Sequence, residues 1–355
     1  MKIGAIPEGL FERLITLAGL APTPVVDTFH AVVVARAIIV ATKLGVFEAM
    51  IEKPLTVSEA AGQLHLDAAA LEKLLNLLVA TGYLGFADHR YSLTRLTRKW
   101  MLRDTAASLH DSMLLRFLEW QAIEATEDFV RTGKALDAHD LIGGDQWVTY
   151  QRGMRSLARF SAGEVARRVV VPAAARAMLD IGGGHGAYSV AFCRRHPHLK
   201  ATILDLPQAV EVASPILAEE KMGDRVTHRA GNALTDDLGL EAWDVIFVAH
   251  LIHHFDRAAN AALMVRAAAA LRPGGVVALL DVLRSTAPQH TSQTGALLDL
   301  YFAVTSNSGT WPEAEIVGWL TAAGLKPGRP IHLRTAPGIS VVVATKPSAG
   351  PAART

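Results

Sequence analysis

The chain has a single cysteine, Cys193, among its 355 residues. One cysteine excludes an intrachain disulfide and a zinc site built from several cysteines. Neither sign of charge is in excess, because 35 lysine and arginine residues balance 34 aspartate and glutamate residues and leave a net charge of +1. A chain without a basic excess does not favour general binding to polyanions, so we expect no nucleic-acid partner.

Long uncharged apolar runs are also missing. The most apolar segment, HAVVVARAIIVATKLGVF, is interrupted by Arg36 and Lys43, which predicts that it is too short and too charged to span a bilayer. The N-terminal stretch carries Glu8 and Glu12 within its apolar part, so we expect no targeting segment. These features predict a cytoplasmic protein with no membrane partner. We expect the apolar segment to form a subunit interface, because a helix that is apolar on most faces must be buried on most faces.

The length predicts two domains rather than one. Residues 1–105 have a mainly helical pattern, with Thr56 and Glu59 spaced as a capping box and Asp67 as the N-cap of the next helix. The stretch GYLGFADHRYSLT then alternates apolar and polar residues around a turn, which predicts a hairpin. This order is typical of a winged helix. Its second helix offers only Lys73 as an exposed cation, so we predict a dimerisation domain rather than a DNA-binding one.

Residues 106–355 are predicted to form a second domain. Its first part, 106–170, has the pattern of long helices, and we expect these to connect the domains and line the substrate pocket. From about residue 176 onward short apolar strands alternate with helices. This alternation predicts an α/β fold with a Rossmann-like, mostly parallel sheet.

A glycine-rich loop, LDIGGGHGAYS, follows the first strand of this predicted sheet and contains Gly182, Gly184 and Gly186. Glycines let the backbone turn tightly and approach a ligand closely, and ligands of such sheets bind beyond the carboxyl ends of the strands. Asp205 follows at the distance of about 20 residues at which an acidic side chain can bind ribose hydroxyls. The loop also satisfies the relaxed dinucleotide fingerprint, so both an adenosyl cofactor and NAD, the latter in a dehydrogenase, fit these residues.

The motifs LDIGGGHG, ILDLP, RAGNAL, WDVIFVAHLIHHF and ALRPGG, in this order, resemble those of class I S-adenosylmethionine-dependent methyltransferases. Together with the winged-helix pattern and YQRGM, they resemble the plant-type O-methyltransferases of the caffeate and hydroxyindole group. The resemblance implies S-adenosyl-L-methionine as cofactor and a homodimer formed through the N-terminal domain. It also implies methyl transfer to a hydroxyl of a small acceptor, expected to be an aromatic secondary metabolite.

The same resemblance implies roles for single residues of the cofactor site. Asp180 matches an acidic position near the methionine part of the cofactor, the three loop glycines match the cofactor loop, and Asp205 matches the ribose ligand. Asn232 stands where the family usually has an aspartate near the adenine amino group. An amide oxygen can still accept a hydrogen bond there, so Asn232 remains a cofactor-binding candidate.

The candidate catalytic residues lie in IFVAHLIHHF, at the end of the fourth predicted strand of the sheet. The segment from IFVAHLIHHF to ALRP aligns with the corresponding family segment without a gap. This alignment puts the family's catalytic histidine at His253, with His254 in the place of the family's aspartate. Neutral imidazole is a suitable base for a hydroxyl proton near neutral pH. The family usually has a glutamate that orients the catalytic histidine. In this chain the corresponding stretch, SNSGTWPEAE, has Trp311 in that region, so this glutamate is missing. Asp281 and Asp299 are candidate replacements that the sequence cannot position against His253.

Three further residues are predicted to contact the acceptor. The resemblance matches Met154 to a methionine that lines the reaction centre. Trp311 and Phe302 could shape an aromatic-lined pocket for a planar acceptor, although large aromatic side chains can equally belong to the core.

Two other functions remain open at this stage. His250, His253 and His254, with Asp281 or His290, could bind a metal in a C-methyltransferase that acts on a 2-oxo acid. Their spacing matches no strict ligand signature, so we assign no metal ligands. A winged-helix regulator that senses the cofactor without turnover is the other alternative.

Overall fold

The computed structural model describes residues 4–136, 142–144, 146–306 and 308–348. The chain forms two compact units, Met1–Phe117 and Leu118–Thr355, so the predicted boundary near residue 105 falls inside the first unit.

The first unit is helical and carries one hairpin. Its elements are α1 (Leu10–Leu17), α2 (Thr23–Val25), α3 (Ala31–Lys43), α4 (Val57–Leu64), α5 (Ala68–Ala80), β1 (Leu84–Ala87), β2 (Arg90–Leu93) and α6 (Arg95–Trp100). The predicted caps are confirmed, because Thr56 and Glu59 form a capping box at α4 and Asp67 Oδ1 accepts a hydrogen bond from Ala70 N at 2.7 Å at α5. The antiparallel pairing of β1 with β2 confirms the predicted hairpin.

The helices α2 and α3 are joined by one π-helical turn, Val26–His30, into the continuous helix Thr23–Lys43. By length and composition this helix is long and apolar enough to cross a membrane. The prediction that the segment is too short and too charged is therefore wrong, because the helix begins before the apolar run seen in the sequence. Most of its residues are not buried within the chain, and Phe29 is 66% exposed. The helix thus presents an apolar face that the described part of the chain leaves uncovered.

The remaining elements build a sheet with helices around it. They are α7 (His110–Glu124), α8 (Thr126–Thr132), α9 (Gln146–Arg168), β3 (Ala177–Ile181), α10 (Ala187–Arg195), β4 (Lys200–Asp205), α11 (Pro207–Ala218), β5 (Val226–Ala230), β6 (Trp243–Ala249), α12 (Arg257–Ala270), β7 (Leu271–Arg284), α13 (Gln293–Thr305), β8 (Trp311–Pro312), α14 (Glu313–Ala322), β9 (Lys326–Pro327), β10 (Ile331–His332) and β11 (Ile339–Thr345). The helix α13 was not predicted from the sequence.

The central path of the sheet has the strand order β10-β11-β7-β6-β3-β4-β5. The strands from β7 to β5 are parallel, and β11 runs antiparallel to β7. The chain enters at β3, extends through β4 and β5 on one side, and then returns to place β6 and β7 on the other side. The strand order therefore reverses between β3 and β6, where ligands of such sheets bind at the carboxyl ends. The predicted α/β fold with a mostly parallel sheet is confirmed.

Successive side chains of β6 point to opposite faces of the sheet and enter two separate cores. Val245 and Phe247 belong to the core that includes side chains of α9 and α10. Ile246 and Val248 belong to the core that includes side chains of α12 and α14. A strand buried on both faces explains the nearly uninterrupted apolar sequence WDVIFVA and fixes the position of the turn that follows it.

Candidate active site

The glycine loop after β3 is held through the backbone of Gly184. Its N–H donates to Asp205 Oδ2 at 2.8 Å, and its carbonyl oxygen lies 2.8 Å from His228 Nε2. His228 lies in β5 and its Nδ1 lies 3.2 Å from Ser214 Oγ, so β4, β5 and α11 all help to fix the loop. The sequence does not single out His228, because a histidine in the mixed polar and apolar strand VTHRA gives no distinct signal.

Gly186, at the end of the loop, has no room for a side chain. Its φ is +73°, and a methyl group there would lie 2.8 Å from Ile203 Cδ1 and 3.0 Å from Leu217 Cδ1. We expect Gly186→Ala to lower the free energy of unfolding by about 1–3 kcal/mol, because it combines backbone strain with overpacking. Urea unfolding measures this. Gly163→Ala in α9 is the control, because open space surrounds Gly163, and it should not destabilise the protein.

Asp180 lies at the end of β3 under the loop and is buried. Its Oδ2 accepts a hydrogen bond from Ser189 Oγ at 2.6 Å, whereas its buried Oδ1 has no hydrogen-bond partner among the described residues. Burial, followed by the nearby carboxylate of Asp205, raises the pKa of Asp180 to about 7. An unpaired buried carboxylate oxygen is an unfavourable arrangement in a protein unless a ligand supplies the partner.

This pKa has a consequence for the unliganded protein. The pKa of Asp180 in the unfolded chain has its ordinary value of about 4, so between this value and about 7 the folded state binds more protons. Stability is therefore greatest below the unfolded pKa and falls as pH rises through the folded pKa. We expect Asp180→Asn to flatten the fall in melting temperature between these two values. Asp104→Asn, on an exposed aspartate, should leave the dependence of melting temperature on pH as in the wild type. The same dependence in both variants would contradict the raised pKa of Asp180.

The two other predicted cofactor residues are Asp205, the last residue of β4, and Asn232, two residues after the end of β5. Besides Gly184 N, Asp205 accepts a hydrogen bond from Leu206 N at 2.8 Å, which fixes its carboxylate at the loop. Asn232 is exposed and its Oδ1 accepts a hydrogen bond from Leu234 N at 2.9 Å. The amide oxygen of Asn232 thus already serves a turn, and its contact with an adenine ring stays a prediction.

The segment after β6 is a short 3-10 turn, Ile252–His254, whose backbone carbonyls are held by side chains. Asn260 Nδ2 donates to the carbonyl of Ile252 at 2.8 Å, and Trp311 Nε1 donates to the same oxygen at 2.9 Å. The hydroxyls of two serines, Ser306 and Ser308, each lie 3.0 Å from the carbonyl oxygen of His253. A turn fixed through so many side chains holds the histidine in one orientation.

His253 is buried beside Asp281 of the neighbouring strand. Its Nδ1 lies 3.1 Å from both carboxylate oxygens, and Asp281 Oδ1 also accepts a hydrogen bond from Val282 N at 2.8 Å. Burial alone would raise the pKa of Asp281, but the interaction with His253 at 3.1 Å and the nearby His250 outweigh it and lower that pKa. Asp281 is therefore ionised and holds a proton of His253 on Nδ1. Asp299, the other candidate partner, instead accepts a hydrogen bond from Thr310 N at 3.0 Å.

Aromatic rings surround His253. Phe302 stacks on it with ring centroids 3.8 Å apart, and His254 lies tilted against it at 4.3 Å. Trp311 is buried and packs edge-on against Trp319 at 5.0 Å, in the core below the turn. The observed contacts of Trp311 are therefore structural, and its predicted contact with the acceptor stays a prediction.

The residues of the metal alternative do not converge on one point. His250 follows the end of β6 with a φ of +50°, and its Nδ1 lies 3.8 Å from Asp281 Oδ1. Asp281 already binds Nδ1 of His253. Among the residues that the structure describes, no three histidine, cysteine or acidic side chains are arranged to hold an ion.

Comparison with known proteins assigns the chain. A family model for the O-methyltransferase domain matches residues 138–326, which is more than half of the chain, and a model for the O-methyltransferase dimerisation domain matches residues 26–103. The chain belongs to the O-methyltransferase family. This membership makes it an S-adenosylmethionine-dependent enzyme with a dimerisation domain, so the dehydrogenase and the non-catalytic regulator are no longer supported interpretations.

Relatives of this O-methyltransferase cover nearly its whole length. The 3-hydroxy-5-methyl-1-naphthoate 3-O-methyltransferase of Streptomyces sahachiroi is 25% identical over 331 residues, covering 91% of this chain and 94% of the relative. The mitomycin biosynthesis 6-O-methyltransferase of Streptomyces lavendulae is 27% identical over 318 residues, covering 85% of this chain and 88% of the relative. The crystal structure of human N-acetylserotonin methyltransferase with its cofactor has the same fold, with a TM-score of 0.81 and 18% identity over 97% of this chain and 100% of that chain.

The loop fits S-adenosylmethionine on this enzyme's own geometry. The loop glycines let the side chains of Asp180 and Gln151 approach the backbone closely, and the carboxylate of Asp205 is fixed at the end of β4. Asp180 Oδ1 lacks a hydrogen-bond partner among the described residues. These groups suit a ligand that carries a ribose and a cationic amino group. The family assignment and the residues around the glycine loop thus both indicate S-adenosylmethionine as the methyl donor.

Proposed function

We propose that the enzyme transfers a methyl group to a hydroxyl of a small aromatic secondary metabolite, with His253 as the general base. The observation that carries the proposal is the hydrogen bond between His253 Nδ1 and the ionised Asp281, at 3.1 Å. The substrate class is supported by the two Streptomyces relatives, whose names specify a hydroxynaphthoate and a step of mitomycin biosynthesis.

The pairing with Asp281 determines which nitrogen of His253 can act as a base. A carboxylate can only accept hydrogen bonds, so the proton of neutral His253 resides on Nδ1 and the lone pair on Nε2. No residue of the described chain hydrogen-bonds to this Nε2. His253 is therefore ready to remove a proton from an acceptor hydroxyl, and the resulting imidazolium is stabilised by Asp281.

When bound, S-adenosylmethionine supplies a methyl group on a positively charged sulfur. The contribution of this chain is to remove the hydroxyl proton, exclude water and orient the acceptor oxygen. Burial of His253 and the stacked Phe302 keep the base away from bulk water. We retain Phe302 and Met154 as acceptor-contacting residues and His254 as a second polar group on the same turn.

The acceptor class is tested with a panel of methyl acceptors and S-adenosylmethionine, followed by release of S-adenosylhomocysteine. We expect turnover with phenols and naphthols and none with 2-oxo acids, and we expect a chelator to leave turnover unchanged. Turnover only with 2-oxo acids, lost upon chelation, would instead support the metal-dependent C-methyltransferase. Each product should carry its new methyl group on oxygen.

We further propose that the apolar face of the helix Thr23–Lys43 forms a homodimer with a second copy, as the match to a dimerisation domain supports. Phe29→Glu is expected to convert the dimer to a monomer, because a buried unpaired carboxylate would be placed at the interface. Sedimentation measures this. Val130→Glu in α8 is the control, since Val130 is 71% exposed. A Phe29→Glu variant that stays dimeric would rule out this face.

A further inference from the structure

A buried glutamine of α9, Gln151, faces the cofactor loop without a hydrogen-bond partner. Its side chain is only 5% exposed, and no residue of the described chain hydrogen-bonds to its amide. The amide packs directly on the loop, because a methyl group at Gly184 would lie 2.8 Å from Gln151 Oε1 and 3.2 Å from its Nε2. The residue is mostly buried, but its amide atoms are not sealed from solvent, so a ligand at the loop can pair with them.

A second unsatisfied group lies on the other side of the same loop. A methyl group at Gly183 would lie 2.6 Å from Asp180 Oδ2 and 2.8 Å from its Oδ1, which has no hydrogen-bond partner. The glycine backbone is therefore flanked by an acidic group from β3 and an amide from α9. The methyl donor ends in an amino acid, whose ammonium group needs acceptors and whose carboxylate needs donors.

We propose that the Gln151 amide N–H groups bind the carboxylate of the amino-acid part of the methyl donor. An acceptor for the ammonium group is already present in Asp180, whose Oδ1 has no hydrogen-bond partner among the described residues. The two charged donors close in sequence on α9 already have partners: Arg152 pairs with Glu219 at 2.5 Å, and Arg155 donates to the carbonyl of Ile216 at 3.1 Å and pairs with Glu219 at 2.8 Å. Burial and nearby cations lower the pKa of His185, within the loop, to about 3, so this ring is neutral. Among the described residues, Gln151 contacts the loop with two amide N–H donors that have no other partner.

Two ligands separate this role from simple packing. S-adenosylhomocysteine carries the amino-acid part, whereas 5′-methylthioadenosine keeps the adenosine and sulfur but lacks it. By calorimetry, we expect Gln151→Met to weaken S-adenosylhomocysteine about tenfold and to leave 5′-methylthioadenosine unchanged, because one charge-assisted hydrogen bond is lost. Methionine keeps the volume of glutamine and so preserves the packing on Gly184. Gln63→Ala, on an exposed glutamine of α4, should change neither affinity.

Gln151→Glu decides which end of the amino acid the side chain contacts. A glutamate would repel the ligand carboxylate, so we expect it to weaken S-adenosylhomocysteine more than Gln151→Met does. Tighter binding by Gln151→Glu would mean that the side chain faces the ammonium group, and it would overturn the proposal. Equal losses for both ligands, or no loss for S-adenosylhomocysteine, would also overturn it. The test measures binding alone and is independent of the acceptor and of His253.

Discussion

Replacing His253 by alanine should lower kcat by about 10²- to 10⁴-fold, the usual contribution of a positioned general base. The affinity for S-adenosylhomocysteine should stay unchanged, because the described contacts of the His253 ring are with Asp281, Phe302 and His254 and not with the glycine loop. Single-turnover rates and calorimetry measure the two quantities separately.

The neighbouring His254→Ala is the matched control for this prediction. It removes the same kind of ring from the same turn, 4.3 Å away, but leaves the pair of His253 and Asp281 intact. We expect it to retain turnover within about tenfold, since no base is lost. An inactive His254→Ala together with an active His253→Ala would show that the base is one residue further along the chain.

Asp281→Asn is expected to lower kcat about as much as His253→Ala does, because it changes which nitrogen of His253 carries the proton. The asparagine oxygen would accept the hydrogen bond from Val282 N, which Asp281 Oδ1 accepts at 2.8 Å, and would leave the amide N–H facing His253 Nδ1. Two donors cannot pair, so the histidine proton would move to Nε2 and the base would be lost. We expect kcat to fall by about 10²- to 10⁴-fold with little change in donor affinity.

Asp299→Asn controls for the loss of a carboxylate near the active site. Asp299 was an equal candidate in the sequence, but its contacts are with Thr310 and Arg284. We expect this variant to retain turnover within about tenfold, because the pair of His253 and Asp281 remains. If Asp299→Asn were inactive and Asp281→Asn active, the orienting residue would have been misassigned.

The sequence singles out His253 as the candidate base but does not identify its partner, and the reason lies in the sheet. The position of His253 follows from counting along one continuous segment. Asp281 reaches it only because β6 lies beside β7 in a register that pairs Ala249 with Leu280. This register is a long-range property that no local pattern contains, so Asp281 and Asp299 remained equal candidates.

Other features escaped prediction for local reasons. The helix α13 includes Phe302. Its segment GALLDLYFAV is apolar at nearly every position, so it lacks the alternation of apolar and polar residues that marks one face of a helix. Trp311 was expected to line a pocket because it is large and flat. In the structure its indole N–H donates a hydrogen bond to the carbonyl of Ile252. The sequence YQRGM does not single out Gln151, because only the structure shows that its amide has no hydrogen-bond partner among the described residues.

The most direct test of the account is the fate of a labelled methyl group. Wild-type enzyme and the His253→Ala variant would be incubated with methyl-labelled S-adenosylmethionine and a hydroxylated aromatic acceptor that the wild type turns over. The product would then be analysed by NMR. We predict label on oxygen with the wild type, and almost no product from His253→Ala at equal donor affinity. Label on carbon or nitrogen, or a His253→Ala variant with nearly wild-type turnover, would contradict it.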